Sequence, residues 1–187
     1  MLPLLTELSR AGRRMRGPSP HDSEQETLDA AGLFRLLNDC KVEYVLVGGL
    51  AMTVHASAYT TVDLDICYDR SASNMAKVVV ALASIHPGLR GAPANLLFRF
   101  DAAALQGELH LKLRTDLGDI DLLGEIMGIG GYEQVLAQSE EQSLFDMPVR
   151  VLSLDALIVA KKAAGRLKDR LHLLELEELK KIRDANP

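Results

Sequence analysis

The chain has 187 residues, 48% of them hydrophobic and 25% charged, enough for one soluble domain with a real core. Aromatic residues make up 4% and Trp is absent, which excludes an aromatic base-stacking platform as the main mode of recognition. The net charge of −5 is uneven: both ends are basic and the middle acidic, a layout suited to a site that binds cations and receives an anionic ligand.

Two cysteines, Cys40 and Cys67, have no paired spacing, which argues against a disulfide framework or a Cys-based zinc site and fits a reducing cytoplasm. No apolar run approaches transmembrane length, so no membrane partner is expected. Arg10, Arg13, Arg14 and Arg16 follow a short apolar patch, the reverse of a secretory signal, and residues 1–20 read as a flexible basic arm.

Gly17-Pro18-Ser19-Pro20 is a breaker cluster. His21-Asp22-Ser23 then offers a helix N-cap, and Leu28, Ala31, Phe34, Leu36 and Leu37 carry an amphipathic helix to about Asp39. Val42 to Val47 reads as a buried strand ended by Gly48-Gly49, with a helix from Leu50 to Ala56. A second strand runs from Thr60 to Cys67. A helix is predicted from Asn74 to Ile85, stopped by His86-Pro87-Gly88, and a strand from Leu96 to Phe100.

Glu108 to Arg114 alternates strictly, with Leu109, Leu111 and Leu113 on one face and His110, Lys112 and Arg114 on the other. With Asp119 to Leu123 it makes a hairpin around the four-residue turn Thr115 to Gly118, which sets Lys112 opposite Asp121 and Arg114 opposite Asp119. A Gly-rich stretch from Gly124 to Gly131 leads to a short helix at Tyr132 to Gln138. Met147 to Leu152 reads as an edge strand, and Ser153 caps one long helix from Leu154 to Arg183. Strands and helices alternate irregularly, which implies an α/β (α+β) sheet of mixed direction. The chain divides into the arm 1–20, a core 21–152 and a C-terminal helical segment 153–187 packing on that core.

Asp63 and Asp65 stand at i and i+2 of a strand, hence on one face. Paired carboxylates repel unless a cation joins them, and Mg²⁺ prefers such hard oxygen ligands. Asp119 and Asp121 repeat the pattern, and either could serve as a third ligand. Gly48-Gly49, at a strand-to-helix junction, offers backbone N–H groups and close approach to phosphate oxygens. Five basic residues lie between Lys161 and Arg170 against one acid, with Lys161, Gly165, Lys168 and His172 on one helical face. His55 and His110 read as local hydrogen-bonding groups and Cys67 as strand-end packing.

Taken together, VEYVLVGGLAMTVHA from Val42, TTVDLDI from Thr60, LRTDLGDIDLL from Leu113 and VLSLDALIVAKKAAGRLKD from Val151 resemble the polymerase-β nucleotidyltransferase superfamily. The likeness is to its small prokaryotic branch of abortive-infection (AbiEii-like) toxins. It spans residues 42–169 and implies a short mixed-sheet nucleotidyltransferase fold with flanking helices and a C-terminal helix. Asp63, Asp65 and Asp121 match the metal-binding carboxylates, which hold two Mg²⁺ ions, with Mn²⁺ as an alternative. Gly48 and Gly49 match the phosphate-cradling pair, and Thr61, Lys161, Arg166 and Lys168 match nucleotide-binding positions. Relatives often carry Ser in place of Gly49, Gly in place of Ala56 and Arg in place of Tyr59. The implied activity is transfer of a nucleoside monophosphate from an NTP to an acceptor hydroxyl on tRNA, a protein or a small molecule such as an aminoglycoside, with tRNA or protein favoured, and the branch implies the toxin of a toxin–antitoxin pair with a cognate antitoxin as partner. The alternative is a non-catalytic nucleotide-binding or partner-neutralising relative of the same fold.

Overall fold

The structure is a computed structural model describing residues 27–58, 60–93 and 96–185, without the Lys168 side chain. The basic arm, the predicted cap at Ser23 and Tyr59 lie outside the described residues. In chain order the elements are α1 (Ala30–Asp39), β1 (Tyr44–Val47), α2 (Gly48–Val54), β2 (Asp63–Tyr68), α3 (Ala72–Leu82), β3 (Gly88–Leu89), α4 (Ala102–Gly107), β4 (His110–Thr115), β5 (Gly118–Leu123), β6 (Glu125–Ile126), β7 (Gly130–Gly131), α5 (Tyr132–Leu136), β8 (Ser139–Leu144), β9 (Met147–Leu152), α6 (Leu154–Ala164) and α7 (Leu167–Ala185).

Seven strands form one mixed sheet in the order β3-β4-β5-β2-β1-β9-β8, and β6 and β7 make a separate small ribbon. β5 with β2 and β1 with β9 are parallel; the other neighbours are antiparallel. All four residues of β1 are buried, and β2 buries Leu64, Ile66, Cys67 and Tyr68, because both strands lie mid-sheet. β4 buries Leu111 and Leu113 and turns His110, Lys112 and Arg114 outward, as its alternation requires. Leu109, just before the strand, stays 43% exposed.

α1 and α3 start where a side chain can satisfy a free amide. The Asp29 side chain accepts from the Gly32 amide at 2.8 Å and Ser71 from the Asn74 amide, so α1 and α3 each start on a cap. The buried Asn74 side chain accepts from the Glu43 amide and donates to the Glu43 and Asp69 carbonyls, tying the entry of β1 to the exit of β2. No helix among the described residues is long and apolar enough to cross a membrane.

Four sequence expectations need correction. Residues 96–100 form no strand: Leu97 is fully exposed and Leu96 half exposed, and β3 takes the edge beside β4. The β4–β5 hairpin pairs Thr115 with Gly118, so its loop has two residues rather than four; the Lys112–Asp121 and Arg114–Asp119 register is as read. β9 is not an edge strand, because β8 covers it through a tight turn in which Phe145 and Asp146 both have positive φ, +52° and +61°. The long C-terminal helix is two helices. Gly165 ends α6 in the left-handed region at φ +62°, so Lys161 and His172 lie on different helices rather than on one continuous face.

Candidate active site

The parallel register of β2 with β5 builds the site. It sets Asp63 beside Asp119 and Asp65 beside Asp121, all on one face of the sheet. One oxygen each of Asp63, Asp65 and Asp121 lies within 4.8 Å of the others. Asp63 and Asp65 are half-buried and Asp121 is buried. The donor set, three hard carboxylate oxygens converging on one point, fits a divalent cation such as Mg²⁺ or Mn²⁺.

Each carboxylate is aimed by its neighbours. The Thr61 hydroxyl donates to Asp63 Oδ1 at 2.8 Å. The Gly49 amide donates to Asp65 Oδ2 at 3.4 Å, from the turn where Gly48 adopts φ +66°. A Cβ on Gly48 would lie 2.0 Å from Asp65 Oδ2, so the backbone and the carboxylate come together only because the residue is glycine. Burial, then the charges of Asp63 and Asp121, pushes the Asp65 carboxyl up to about 7, against the Gly49 amide and Lys161.

Cations ring the cluster. Lys112 Nζ is 3.0 Å from Asp121 Oδ2, and Arg114 Nε is 3.7 Å from Asp119 Oδ1. Arg90 reaches in from beyond β3 to contact Asp63, Asp119 and Asp121 at 3.4, 3.2 and 2.6 Å. Sequence reasoning missed Arg90. It sits in an irregular stretch between glycines with no periodicity to place it, and only the pairing of β3 with β4 brings it to the acids.

The carboxylates open onto a cleft of about 420 Å³ that Gly48, Gly49, Thr61, Lys161, Arg166 and Asp169 help to line. The break at Gly165 folds α7 back so that Lys161 Nζ on α6 meets Asp169 Oδ1 on α7 at 3.0 Å. Asp169 is buried. Burial alone would raise its carboxyl, but the Lys161 hydrogen bond and the charges of Lys161 and Arg166 outweigh it and hold the carboxyl below its ordinary value. Arg166 is mostly exposed, with Nε 3.9 Å from Asp169 Oδ2. Lys161 and Arg166 therefore share the cleft with the three carboxylates, while the Lys168 side chain lies outside the described residues.

The lesser candidates make local contacts, and His110 also lines the carboxylate cleft. His55 Nε2 is 2.8 Å from the Leu152 carbonyl and His110 Nε2 is 3.3 Å from the Glu125 carbonyl. Cys67 is buried, and burial pushes its thiol up to about 12. Asp119, the alternative third ligand, is held by Arg90 and Arg114, outside the cluster of three.

No protein-family model matches the sequence, and no curated protein is similar to it in sequence. Solved structures are similar in fold. The lincosamide antibiotic adenylyltransferase LnuA, seen with lincomycin bound, superposes with a TM-score of 0.53 at 17% identity, over 82% of this chain and 99% of that one. ANT(2")-Ia in complex with adenylyl-2"-tobramycin gives a TM-score of 0.48 at 11% identity, over 83% of this chain and 92% of that one. The seven-stranded mixed sheet with flanking helices is the nucleotidyltransferase fold.

Proposed function

We propose that this chain is a Mg²⁺-dependent nucleotidyltransferase, moving a nucleoside monophosphate from an NTP to an acceptor hydroxyl. The observation that carries this reading is the convergence of Asp63, Asp65 and Asp121 within 4.8 Å in a cleft that Lys161 and the Gly48-Gly49 turn also line.

In the reaction the acceptor oxygen attacks the α-phosphorus, the bond from that phosphorus to the bridging oxygen of the β-phosphate breaks, and pyrophosphate leaves with the electron pair. Asp63, Asp65 and Asp121 would hold the divalent cations, two Mg²⁺ or Mn²⁺ ions, whose positive charge neutralises the transferred phosphoryl group. Asp121, buried and on the strand beside Lys112, orients the acceptor hydroxyl and helps to draw off its proton. The Gly48 and Gly49 backbone admits the phosphates closely, Thr61 fixes the Asp63 carboxylate, and Lys161 and Arg166 face the departing pyrophosphate charge. Asp169 keeps the Lys161 ammonium in place. Residues 21–152 would thus be the catalytic core, and 153–187 the segment that supplies Lys161, Arg166 and Lys168.

The motif words favour the abortive-infection toxin branch. On that reading the acceptor is tRNA or a protein hydroxyl, the setting is the cytoplasm and an antitoxin is the cognate partner. A small hydroxylated acceptor is the second reading. The LnuA likeness favours it, as does a further cleft of about 640 Å³ that Lys112 and Arg90 share with the carboxylate site. Incubation with Mg²⁺ and each α-labelled NTP, offering total tRNA, the protein itself and hydroxylated antibiotics as acceptors, tests all of these. Label in one acceptor, absent with Asp63→Asn, establishes the transfer and its acceptor class. NTP binding without label anywhere would turn the reading to the non-catalytic relative.

A further inference from the structure

Arg90 lies just beyond β3, where its amide donates to the Lys112 carbonyl at 2.9 Å and fixes its Cα beside β4. Its guanidinium stands 2.6 Å from Asp121 Oδ1, 3.4 Å from Asp63 Oδ2 and 3.2 Å from Asp119 Oδ2, and the side chain is only 20% exposed. Two of the three clustered carboxylates thus share a cation that belongs to the chain itself. The other Asp121 oxygen is taken by Lys112, so both oxygens of the buried third carboxylate face cations.

We propose that Arg90 is the resident counter-cation of the carboxylate cluster, which an arriving divalent cation displaces from Asp63 and Asp121 while Asp119 retains it. The inference rests on the reading of Asp63, Asp65 and Asp121 as a divalent-cation site. Four carboxylates converge on this face, and their repulsion needs a nearby positive charge when no metal is bound. A divalent cation on the same oxygens repels the guanidinium, so the two compete, and that competition is a coupling free energy between them. Lys112 yields easily, because its side chain is 60% exposed and its one ion pair among the described residues is with Asp121. Arg90, held at three points, sets the cost of metal entry. It also has somewhere to go: Asp119 stands outside the cluster of three, and Arg90 borders the second cleft together with Leu89, Phe98 and His110.

Calorimetric Mn²⁺ titration of the full chain, with thermal melts in EDTA and in Mn²⁺, tests this on the wild type, Arg90→Ala, Arg90→Gln and Asp63→Asn. Both Arg90 variants should bind Mn²⁺ about fivefold tighter or more, the usual lower scale of a coupling between two ligands. They should melt below the wild type in EDTA and gain more from Mn²⁺ than it does. Arg90→Gln removes the charge while keeping part of the aliphatic stem and an amide donor, so it decides the matter if Arg90→Ala does not fold. If neither folds in EDTA, folding on Mn²⁺ addition supports the counter-cation and failure to fold overturns it. Unchanged or weaker Mn²⁺ binding in the variants, alongside weakened binding in Asp63→Asn, overturns the role of Arg90 and leaves the cation site standing. Absence of Mn²⁺ binding in the wild type and in both Arg90 variants overturns the two together.

Discussion

Gly48 is where backbone conformation and the acidic cluster meet. At φ +66°, any other residue meets the left-handed penalty of about 1–2 kcal/mol. A Cβ would also sit 2.0 Å from Asp65 Oδ2 and 2.7 Å from Asp65 Cβ, so the whole Asp65 side chain must move. Gly48→Ala should therefore lower unfolding stability in urea by about 1–3 kcal/mol, on the scale of a strained backbone site, and weaken divalent-cation binding as well. Asp63→Asn should behave oppositely in the metal-free protein. It removes one charge from a repelling group and leaves stability equal or raised, while abolishing nucleotidyl transfer. Equal destabilisation by the two changes would mean that Asp63 is structural.

At the scale of elements, legibility followed burial pattern. β4 and β5 were readable because alternate leucines mark one face, and their register brought Lys112 and Arg114 opposite the acids as the sequence implied. β2 was readable for the same reason, and with it the pairing of Asp63 and Asp65. β8 was not: its residues Ser-Glu-Glu-Gln-Ser-Leu carry no apolar alternation, and its turn uses Phe145 and Asp146 where glycine or asparagine would have announced it. The break between α6 and α7 was hidden because a lone glycine in a helical pattern is commonly tolerated.

That break matters to the proposed nucleotide site, since it brings Asp169 back to Lys161. Asp169→Asn keeps the shape and removes the charge, leaving a largely buried ammonium without its ionic partner. A stability loss of about 1–3 kcal/mol is expected, the range for an orphaned buried polar group. With Lys161 no longer held, the KM for NTP should rise more than kcat falls. Gly165→Ala supplies the contrast. Among the described residues a Cβ there meets nothing closer than the Lys162 carbonyl at 3.9 Å, so the cost is the left-handed strain, about 1–2 kcal/mol.

Across the whole molecule, two acids, the half-buried Asp65 and the buried Asp169, pull the pH dependence of stability in opposite directions. Asp65 is pushed up to about 7 by burial and by Asp63 and Asp121, so between about 4 and 7 the folded protein holds a proton that the unfolded chain has released. The metal-free protein should then lose stability as pH rises through that window. Asp169 is held below its ordinary value despite burial, because Lys161 and Arg166 favour its charged form. Its contribution is present above the unfolded carboxylate value and is lost as pH falls through the folded one, so acid below about 4 also destabilises. Thermal midpoints in EDTA should accordingly peak on the mildly acidic side and decline toward neutrality, by roughly 2–4 °C for each kcal/mol lost in a chain of this size. Asp65→Asn should flatten the neutral side of that curve and leave the acid side intact. Saturating Mg²⁺ or Mn²⁺ should reverse the neutral-side slope, because a cation on the cluster binds its ionised form and gains from rising pH. A neutral-side decline that persists unchanged in Asp65→Asn would show that the carboxylate cluster does not govern the stability of the fold.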